Sequence, residues 1–384
     1  MNRRRLGLVL GTNQLLSWGM TFYLPAVVAK PAARDLGQPG YAILGAFTLA
    51  LLVSAVCAPR IGHWIDRHGG RGTIAASIVV LAAGLALLAA APGLIVWYAG
   101  WFVLGIGMAM GLYDAAFSTA GTLLGREAAS TITGITLVAG FASSVFWPLG
   151  TALIGTVGWR GLLCIYIGIL LCLNLPMVLA LVPPLDKSMS VSKQTSNTRF
   201  PVRRLTVFCL AGFFTLRWFI TSAIAAHVLV LLPGIGLSAA ESVVVASLIG
   251  PSQVTGRLLE ATIGRRFGLL SRSRVAALFF PLGAAILPVG GPVAAAGFAT
   301  MYGMSNGILT INRGTLPLAL FGPDGYARVL GWLAVPVLVA QAVAPPLAAP
   351  VVTALPALDV LLIAGGLGVV AAALLLPLRL PPQE

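Results

Sequence analysis

Apolar blocks of about 20 residues recur along this 384-residue chain and constrain its fold more than any other feature. An α-helix rises 1.5 Å per residue, so about 20 apolar residues cross a hydrocarbon layer about 30 Å thick. Hydrophobic residues make up 58% of the chain and charged residues only 9%. A soluble protein of this size needs a more polar surface. The sequence therefore predicts an all-α membrane protein that crosses the bilayer many times.

Twelve of these blocks are long enough to span the membrane. The predicted spans are residues 6–30, 41–60, 73–91, 94–115, 131–155, 160–182, 205–232, 240–261, 273–292, 293–316, 326–351 and 356–377. The basic start before the first block is typical of a signal peptide, but the apolar run is too long and contains polar residues, which favours an uncleaved first span. The polar stretch 183–204 predicts a flexible cytoplasmic linker between an N-terminal bundle (1–182) and a C-terminal bundle (205–384).

The Lys and Arg residues are distributed unequally between the interhelical loops. With a cytoplasmic N-terminus, 20 of them fall on the inner side and 3 on the outer side. Basic residues concentrate in cytoplasmic loops of membrane proteins, so we expect both termini to lie in the cytoplasm and the protein to reside in the cell inner (cytoplasmic) membrane. The same distribution explains the net charge of +14 without nucleic-acid binding.

Weak internal similarity links the two halves of the chain at an offset near 198 residues. Arg4-Arg5-Leu6 matches Arg203-Arg204-Leu205, and Gly37 matches Gly236. Single matches carry little weight in so biased a composition, but the constant offset indicates a duplication of six spans.

The stretch 62–71 is a short basic, Gly-rich segment between two membrane-length runs, and we expect it to form a hairpin at the membrane surface. Asp66 and Arg67 are placed to pair with each other or with nearby helix ends. Gly69 and Gly70 permit a tight chain reversal.

This stretch resembles the signature loop of the major facilitator superfamily and lies between spans two and three, as in that family. The matching positions are Gly62, Asp66, Arg67, Gly69 and Arg71. A degenerate second copy follows span eight at Gly264–Gly268. The resemblance covers the whole chain and implies two six-helix bundles around a cavity lined by spans one, four, seven and ten, with transport by alternating access. It also implies that Asp66, Arg67 and Arg71 act in gating and do not touch substrate.

Two departures from the family's drug antiporters bear on the substrate. Those proteins carry an Arg early in span four, where Trp101 and its neighbours are uncharged, and Gly140, Pro148 and Gly150 only echo their fifth-span motif. We therefore expect a secondary transporter of a small organic solute, with an anion as the favoured class. Proton-coupled efflux of lipophilic drugs is the alternative, and a transporter-shaped sensor is also open.

Arg217 is the deepest charge in the predicted cavity-lining spans. It lies about 12 residues into span seven, or about 18 Å along the helix. A guanidinium can donate two parallel hydrogen bonds to a carboxylate or other oxyanion. We predict that it contacts an anionic substrate group; a structural role within the bundle is the alternative.

Asp114 in span four and Arg313 in span ten occupy near-equivalent places in the two repeats, 199 residues apart. We predict that they pair across the bundles when the inner gate closes. The alternative is that each reaches the lipid headgroups independently. Asp114 is also our candidate for a protonation site, because it is the acidic residue of the predicted cavity-lining spans.

Uncharged polar residues in spans one and ten complete the predicted substrate site. Gln14 and Trp18 are four residues apart and share a helix face, whereas Asn13, adjacent to Gln14, faces elsewhere. Asn306 in span ten is the fourth predicted contact after Arg217, Gln14 and Trp18. Simple helix–helix contact is the alternative role for each.

The remaining predictions concern chemistry and partners. The sequence has no P-loop or metal-binding motif, so we expect no enzymatic activity, no cofactor and no metal. We expect a monomer with the lipid bilayer and a small-molecule substrate as partners, and protons as a candidate coupling ion. The four cysteines lie in apolar spans and are predicted to be buried. His227 is either a proton relay or a satisfied interface residue.

Overall fold

The computed structural model describes residues 3–185 and 204–381, without the side chain of Arg265. The helices of the first half are α1 (Arg3–Met20), α2 (Pro25–Asp35), α3 (Gly40–His68), α4 (Gly70–Ala89), α5 (Leu94–Gly111), α6 (Tyr113–Leu124), α7 (Ala128–Ala139), α8 (Ala142–Ile169) and α9 (Leu175–Leu181). Those of the second half are α10 (Arg204–Gly234), α11 (Ala239–Ser247), α12 (Ile249–Thr262), α13 (Leu269–Ile286), α14 (Gly291–Phe321), α15 (Tyr326–Ala354) and α16 (Ala357–Ala373). Most of the predicted linker lies outside the described residues.

Six helical stretches of the described chain are long and apolar enough to cross a membrane. One of them, Leu94–Leu181, runs through three of the predicted spans without a long polar interruption. The length and composition of these stretches agree with a multi-pass membrane protein.

The chain divides into two compact units. One comprises the described part of Met1–Thr198 together with Phe321–Leu338. The other comprises the described part of Arg199–Leu320 together with Val339–Glu384. The start of α15 therefore packs with the N-terminal unit, and its remainder belongs to the other. The predicted bundle boundaries stay a prediction.

The expectation that residues 62–71 form a hairpin is wrong. Helix α3 continues to His68, α4 begins at Gly70, and only Gly69 separates them, with φ at 78°. Such a φ favours glycine, because a Cβ is strained there. The helix persists because it packs tightly on α15: a Cβ added at Gly62 would lie 2.2 Å from the carbonyl oxygen of Ala327. The charged residues of the signature are therefore held on a helix.

Breaks inside several predicted spans were not anticipated from the sequence. Span one is divided into α1 and α2 by a turn at residues 21–24, and span eight is divided into α11 and α12. Span four is interrupted at Leu112, whose ψ of −166° is extended, and then continues to Leu124. A local apolar pattern does not encode these breaks, because the partners that satisfy the freed backbone groups come from other helices.

The predicted burial of the cysteines is wrong for two of the four, and Cys57 is only half-buried. Cys209 is buried, but Cys164 and Cys172 are exposed on the surface of the N-terminal unit. An apolar helix position does not show whether a side chain faces protein or lipid, since both environments are apolar.

Candidate functional site

Arg217 lies on α10 inside the C-terminal unit and is only 1% exposed. Its Nη2 donates to Oδ1 of Asn306 at 2.6 Å and to the Ser305 hydroxyl at 3.2 Å, both on α14. Its Nη1 donates to the Thr221 hydroxyl at 3.2 Å, one turn along α10. The structure thus brings together two of the predicted site residues, Arg217 and Asn306.

Aromatic rings enclose the same guanidinium. Its central carbon lies 5.2 Å from the ring centroid of Phe280 on α13 and 5.6 Å from that of Tyr302 on α14. The Tyr302 hydroxyl donates to the backbone carbonyl of Thr221 at 3.1 Å. The rings attract the cation through their faces and shield it from water.

Close helix packing brings α14 to this position. A Cβ added at Gly307 would lie 2.1 Å from the carbonyl oxygen of Gln253 on α12, and one added at Gly256 would lie 2.5 Å from that of Met304. Small residues at these crossings let the two backbones approach. With α14 held there, Ser305 and Asn306 reach Arg217 on α10.

The charge of Arg217 is not compensated by a carboxylate among the residues that the structure describes. Arg217 takes no part in the ion pairs Arg3–Glu127, Arg160–Asp35 and Arg272–Glu260. The Nε of Arg217 is buried and also makes no hydrogen bond within the described ranges. The site therefore holds a buried cation, neutral oxygen partners and a remaining donor, a combination that suits an oxyanion.

In the N-terminal unit, Gln14 and Trp18 share one face of α1, as predicted. Gln14 is fully buried, and its Nε2 donates to the carbonyl oxygen of Gly111 at 2.6 Å. The break at Leu112 frees this carbonyl from its usual helical partner, because Ala115 donates to Leu112 instead. Trp18 donates from Nε1 to Oε1 of Gln14 at 3.1 Å and so orients that amide.

Trp18 is also the centre of an aromatic cluster. Its ring centroid lies 4.6 Å from that of Phe22, 4.8 Å from Tyr113 and 6.1 Å from Tyr23. Tyr23 in turn packs edge-on against Trp147, with centroids 5.6 Å apart. This cluster offers flat apolar surface and aromatic faces beside the break in span four.

Asn13 points away from that cluster. Its Oδ1 accepts a hydrogen bond at 3.1 Å from Asn174, which ends a π-helical turn, and both side chains are fully buried. The expectation that Asn13 and Gln14 face different neighbours agrees with this arrangement. Asn13 acts as a helix–helix contact.

Asp66 binds the first turn of α15. Its two carboxylate oxygens accept hydrogen bonds from the backbone N–H groups of Ala327 at 3.2 Å and Arg328 at 2.9 Å. A helix N-terminus carries unsatisfied N–H groups and a positive partial charge, so a carboxylate stabilises it. Of the two pairings left open by the sequence, the one with a helix end is therefore formed.

The other two signature residues differ from Asp66. Arg67 is exposed, whereas Arg71 at the start of α4 donates to the backbone carbonyl of Leu179 on α9. Arg71 thus ties two helix ends of one unit together. That these residues act in gating and do not touch substrate stays a prediction.

Asp114 and Arg313 belong to different units. Asp114 is half-buried in the first turn of α6 and interacts electrostatically with the buried Tyr326. Arg313 is buried, and its guanidinium lies 5.4 Å from the ring centroid of Trp218. Their pairing stays a prediction.

His227 and Glu260 also have defined partners. Nε2 of His227 lies 3.1 Å from the carbonyl oxygen of Pro345, as expected for a satisfied interface histidine. Glu260 forms an ion pair with Arg272 at 3.0 Å.

Sequence reasoning missed most of the residues around Arg217. Thr221 lies four positions after Arg217, and Tyr302 four positions before Asn306, so helical spacing could have selected both. Phe280 could not be found in this way, because nothing in the sequence shows which face of α13 meets α10.

The sequence of this chain is similar to that of a known protein family. The family model of the Major Facilitator Superfamily matches residues 10–345. No curated protein is similar enough in sequence to count as a relative.

Several solved structures share the fold. The human organic anion transporter MFSD10 (TETRAN) has 16% identity and a TM-score of 0.73, with 98% of this chain and 100% of that chain covered. The MFS transporter FucP in its outward conformation has 15% identity and a TM-score of 0.74, with 96% and 97% covered. The proton:xylose symporter XylE, bound to 6-bromo-6-deoxy-D-glucose, has 14% identity and a TM-score of 0.71, with 97% and 94% covered.

These matches extend over nearly the whole chain and agree with the predicted twelve-helix, all-α membrane architecture. The family consists of secondary transporters and not of enzymes. The chain is therefore a multi-pass membrane protein that belongs to the Major Facilitator Superfamily.

Proposed function

We propose that this transporter carries a small organic anion across the cell inner membrane by alternating access, with Arg217 as the anchor for the anionic group. The observation that carries the proposal is a buried guanidinium whose hydrogen-bond partners, among the described residues, are all neutral. A neutral substrate would leave the positive charge of Arg217 uncompensated during the transport cycle.

Energetics favour an anionic ligand at this position. A charged side chain inside a membrane costs about 2.5–3.5 kcal/mol on insertion scales, and such residues commonly mark substrate pathways. Pairing with a carboxylate offsets much of that cost if the geometry is good. Asn306 and Thr221 orient the guanidinium, so less side-chain freedom is lost when the anion binds. The organic anion transporter among the structural neighbours is consistent with this substrate class.

We assign gating to Asp66, Arg67 and Arg71, and protonation to Asp114. Asp66 holds the start of α15 against α3, and breaking those two hydrogen bonds would release the helix end. The bias of basic residues supports an orientation with both termini in the cytoplasm. Asp114, in the first turn of α6 beside the break at Leu112, would couple transport to a proton gradient.

Efflux of lipophilic cations is the second candidate, and the aromatic cluster around Trp18 favours it. Aromatic faces bind cations and flat apolar groups. In this alternative Gln14 and Trp18 contact the substrate, and Arg217 has a structural role.

Thermal unfolding of the purified protein in detergent separates the two candidates. We would measure stabilisation by a panel of organic mono- and dicarboxylates and of lipophilic cations. A ligand at 100 times its Kd stabilises by about 2.7 kcal/mol, which is readily detected. Under the anion proposal, carboxylates stabilise the wild type, and Arg217→Gln weakens the apparent affinity about tenfold or more.

Arg204→Gln is the matched control, since it removes the same charge from an exposed position on the same helix. It is expected to bind anions like the wild type. Arg217→Lys keeps the charge but loses the planar donor pair, so an intermediate affinity is expected. Stabilisation by cations alone, equal in wild type and Arg217→Gln, would reject the anion proposal in favour of efflux.

A further inference from the structure

An open groove of about 590 Å³ lies between α3 and α15 in the N-terminal unit, and none of its lining residues belongs to either substrate-site candidate. Its walls are formed by Ala55, Val56, Pro59, Arg60, His63, Arg328, Trp332 and Val335. The volume is within the range of about 300–1,000 Å³ that is typical of small-molecule sites.

Helical spacing explains why these residues face the same way. Val56, Arg60 and His63 are separated by four and three positions on α3, so they share one face. Arg328, Trp332 and Val335 repeat the same spacing on α15. Each helix thus contributes one stripe, and the groove is the space between the stripes.

Close backbone contact at the base of the groove keeps the stripes side by side. A Cβ at Gly331 would lie 2.5 Å from the carbonyl oxygen of Ala58, and Gly62 meets Ala327 in the same way. The larger side chains beside these glycines, such as Arg60, His63 and Trp332, form the sides of the groove. Near the end of α3, the hydrogen bonds from the first turn of α15 to Asp66 hold the same two helices together.

The groove is polar at one end and apolar at the other. Arg60, His63 and Arg328 lie toward the helix ends at Asp66, whereas Val56 and Val335 lie deeper along the helices. Seven residues separate Arg328 from Val335, or about 10 Å of helix. A distance of about 10 Å is long enough for the polar end to contact a lipid headgroup while the apolar end contacts the first part of its acyl chains.

Exposure within the groove points to lipid rather than to protein as its surroundings. Trp332 is 64% exposed and Val56 is 65% exposed, although both belong to apolar membrane helices. Tryptophan is enriched at the membrane interface, where one part of the ring is apolar and the N–H is hydrated. None of the eight lining residues is acidic, and two of them are arginines.

We propose that this groove binds one anionic phospholipid of the adjacent leaflet. Arg60, His63 and Arg328 hold its phosphate, and an acyl chain lies along Trp332, Val56 and Val335. Basic side chains at the membrane surface attract anionic headgroups, and arginine can bind a phosphate through two parallel hydrogen bonds. The apolar half of the groove requires a ligand with a hydrocarbon tail, which commits the site to a lipid and not to a free phosphate.

The test uses the full-length protein, delipidated in detergent, and follows its thermal unfolding midpoint during titration with lipid. The probes are phosphatidylglycerol, phosphatidylcholine with the same acyl chains, and inorganic phosphate alone. Phosphatidylglycerol is expected to stabilise the wild type more than the other two. The variant Arg60→Gln/Arg328→Gln is expected to need about tenfold or more phosphatidylglycerol for the same stabilisation.

The matched control is Arg266→Gln/Arg379→Gln, which removes two exposed arginines from the C-terminal unit. It should respond like the wild type. Equal stabilisation by both lipids would overturn the proposal, as would an equal loss of response in the control. A full effect of inorganic phosphate would show that a simple anion site is present and no lipid site.

A second measurement avoids any dependence on the folding of the double variant. Phosphatidylglycerol and phosphatidylcholine, each brominated in the acyl chain, are added to the wild type and to Trp332→Phe. The difference in tryptophan quenching between the two proteins reports contact of bromine with Trp332. Stronger quenching by the brominated phosphatidylglycerol supports the site, and equal quenching by the two lipids overturns it.

Discussion

Gln14 illustrates how single polar side chains make an irregular membrane helix possible. The break at Leu112 leaves the carbonyl of Gly111 without a helical partner, and the amide of Gln14 supplies one. No water is available in the hydrocarbon region to replace such a bond.

Gln14→Leu is therefore expected to destabilise the protein by about 1–3 kcal/mol, the cost of an unsatisfied buried carbonyl. Thermal unfolding in detergent measures the loss. Trp18→Phe serves as the comparison, because it keeps an aromatic ring and leaves the bond to Gly111 intact. A smaller effect of Gln14→Leu than of Trp18→Phe would contradict the assigned role.

Asp66 is a second residue whose effect is local and testable. Asp66→Ala removes two hydrogen bonds and a negative charge from the N-terminus of α15, and capping losses of this kind cost about 1–2 kcal/mol. The neighbouring exposed Arg67 is the control, and Arg67→Gln should stay within about 0.5 kcal/mol of the wild type. If both variants unfold at the same temperature as the wild type, the helix end does not depend on Asp66.

At the scale of helices, glycine conformation determines where a span turns. Gly158 has φ 71° and ψ 172° inside the segment assigned to α8, a region that essentially only glycine adopts. The turn places Trp159 and Arg160 at the end of α4, where Arg160 donates to the carbonyls of Ala89 and Ala91. Arg160 also pairs with Asp35.

Gly158→Ala is expected to destabilise the protein by about 1–3 kcal/mol through backbone strain alone, since no atom lies within 4 Å of the added Cβ. Gly134→Ala is a matched control in α7, where the Cβ is equally unobstructed and φ is not positive. There the better helix propensity of alanine should be neutral or add about 0.5–1 kcal/mol. The expected result is a lower unfolding temperature for Gly158→Ala and an equal or higher one for Gly134→Ala; equal shifts in the unfolding temperature would disprove the strain argument.

At the scale of the whole molecule, transport requires coupling between the two halves of the fold. The prediction that Asp114 and Arg313 pair is tested by a double-mutant cycle with Asp114→Asn and Arg313→Gln in proteoliposomes. If they pair, the double variant loses less transport than the sum of the single effects, with a coupling of about 0.5–3 kcal/mol. Additive losses would show that the two residues act independently.

The proton role of Asp114 requires a separate readout in the same proteoliposomes. An imposed pH gradient should drive accumulation of substrate inside proteoliposomes with the wild type and not with Asp114→Asn. The variant should still exchange labelled for unlabelled substrate when both sides have the same pH and substrate concentration. Loss of exchange as well would point to a structural role, because exchange needs no net proton movement.

Several features of the fold could be read from the chain because they depend on local composition. The block length predicts membrane spans, and the positions from Gly62 to Arg71 indicate the superfamily. Part of the candidate site was predictable: Arg217 and Asn306 were selected as polar residues of spans expected to line a cavity, and the structure joins them by a hydrogen bond. That they bind substrate stays a prediction. Phe280 was not selected, because the rotation of an apolar helix is not recorded in its sequence.

The sequence by itself determined that this protein is a multi-pass helical membrane protein, because transfer of a 20-residue apolar segment into lipid is a property of that segment alone. The signature positions Gly62 to Arg71 added the resemblance to a transporter family, which the family model confirms. Only the tertiary structure decided where spans break and which polar groups meet. Gln14 with Gly111, Asp66 with the start of α15, and Arg217 with Asn306 each join residues far apart in the chain. In lipid every face of an apolar helix is equally acceptable to the solvent, so helix orientation is set by packing and hydrogen bonding between helices.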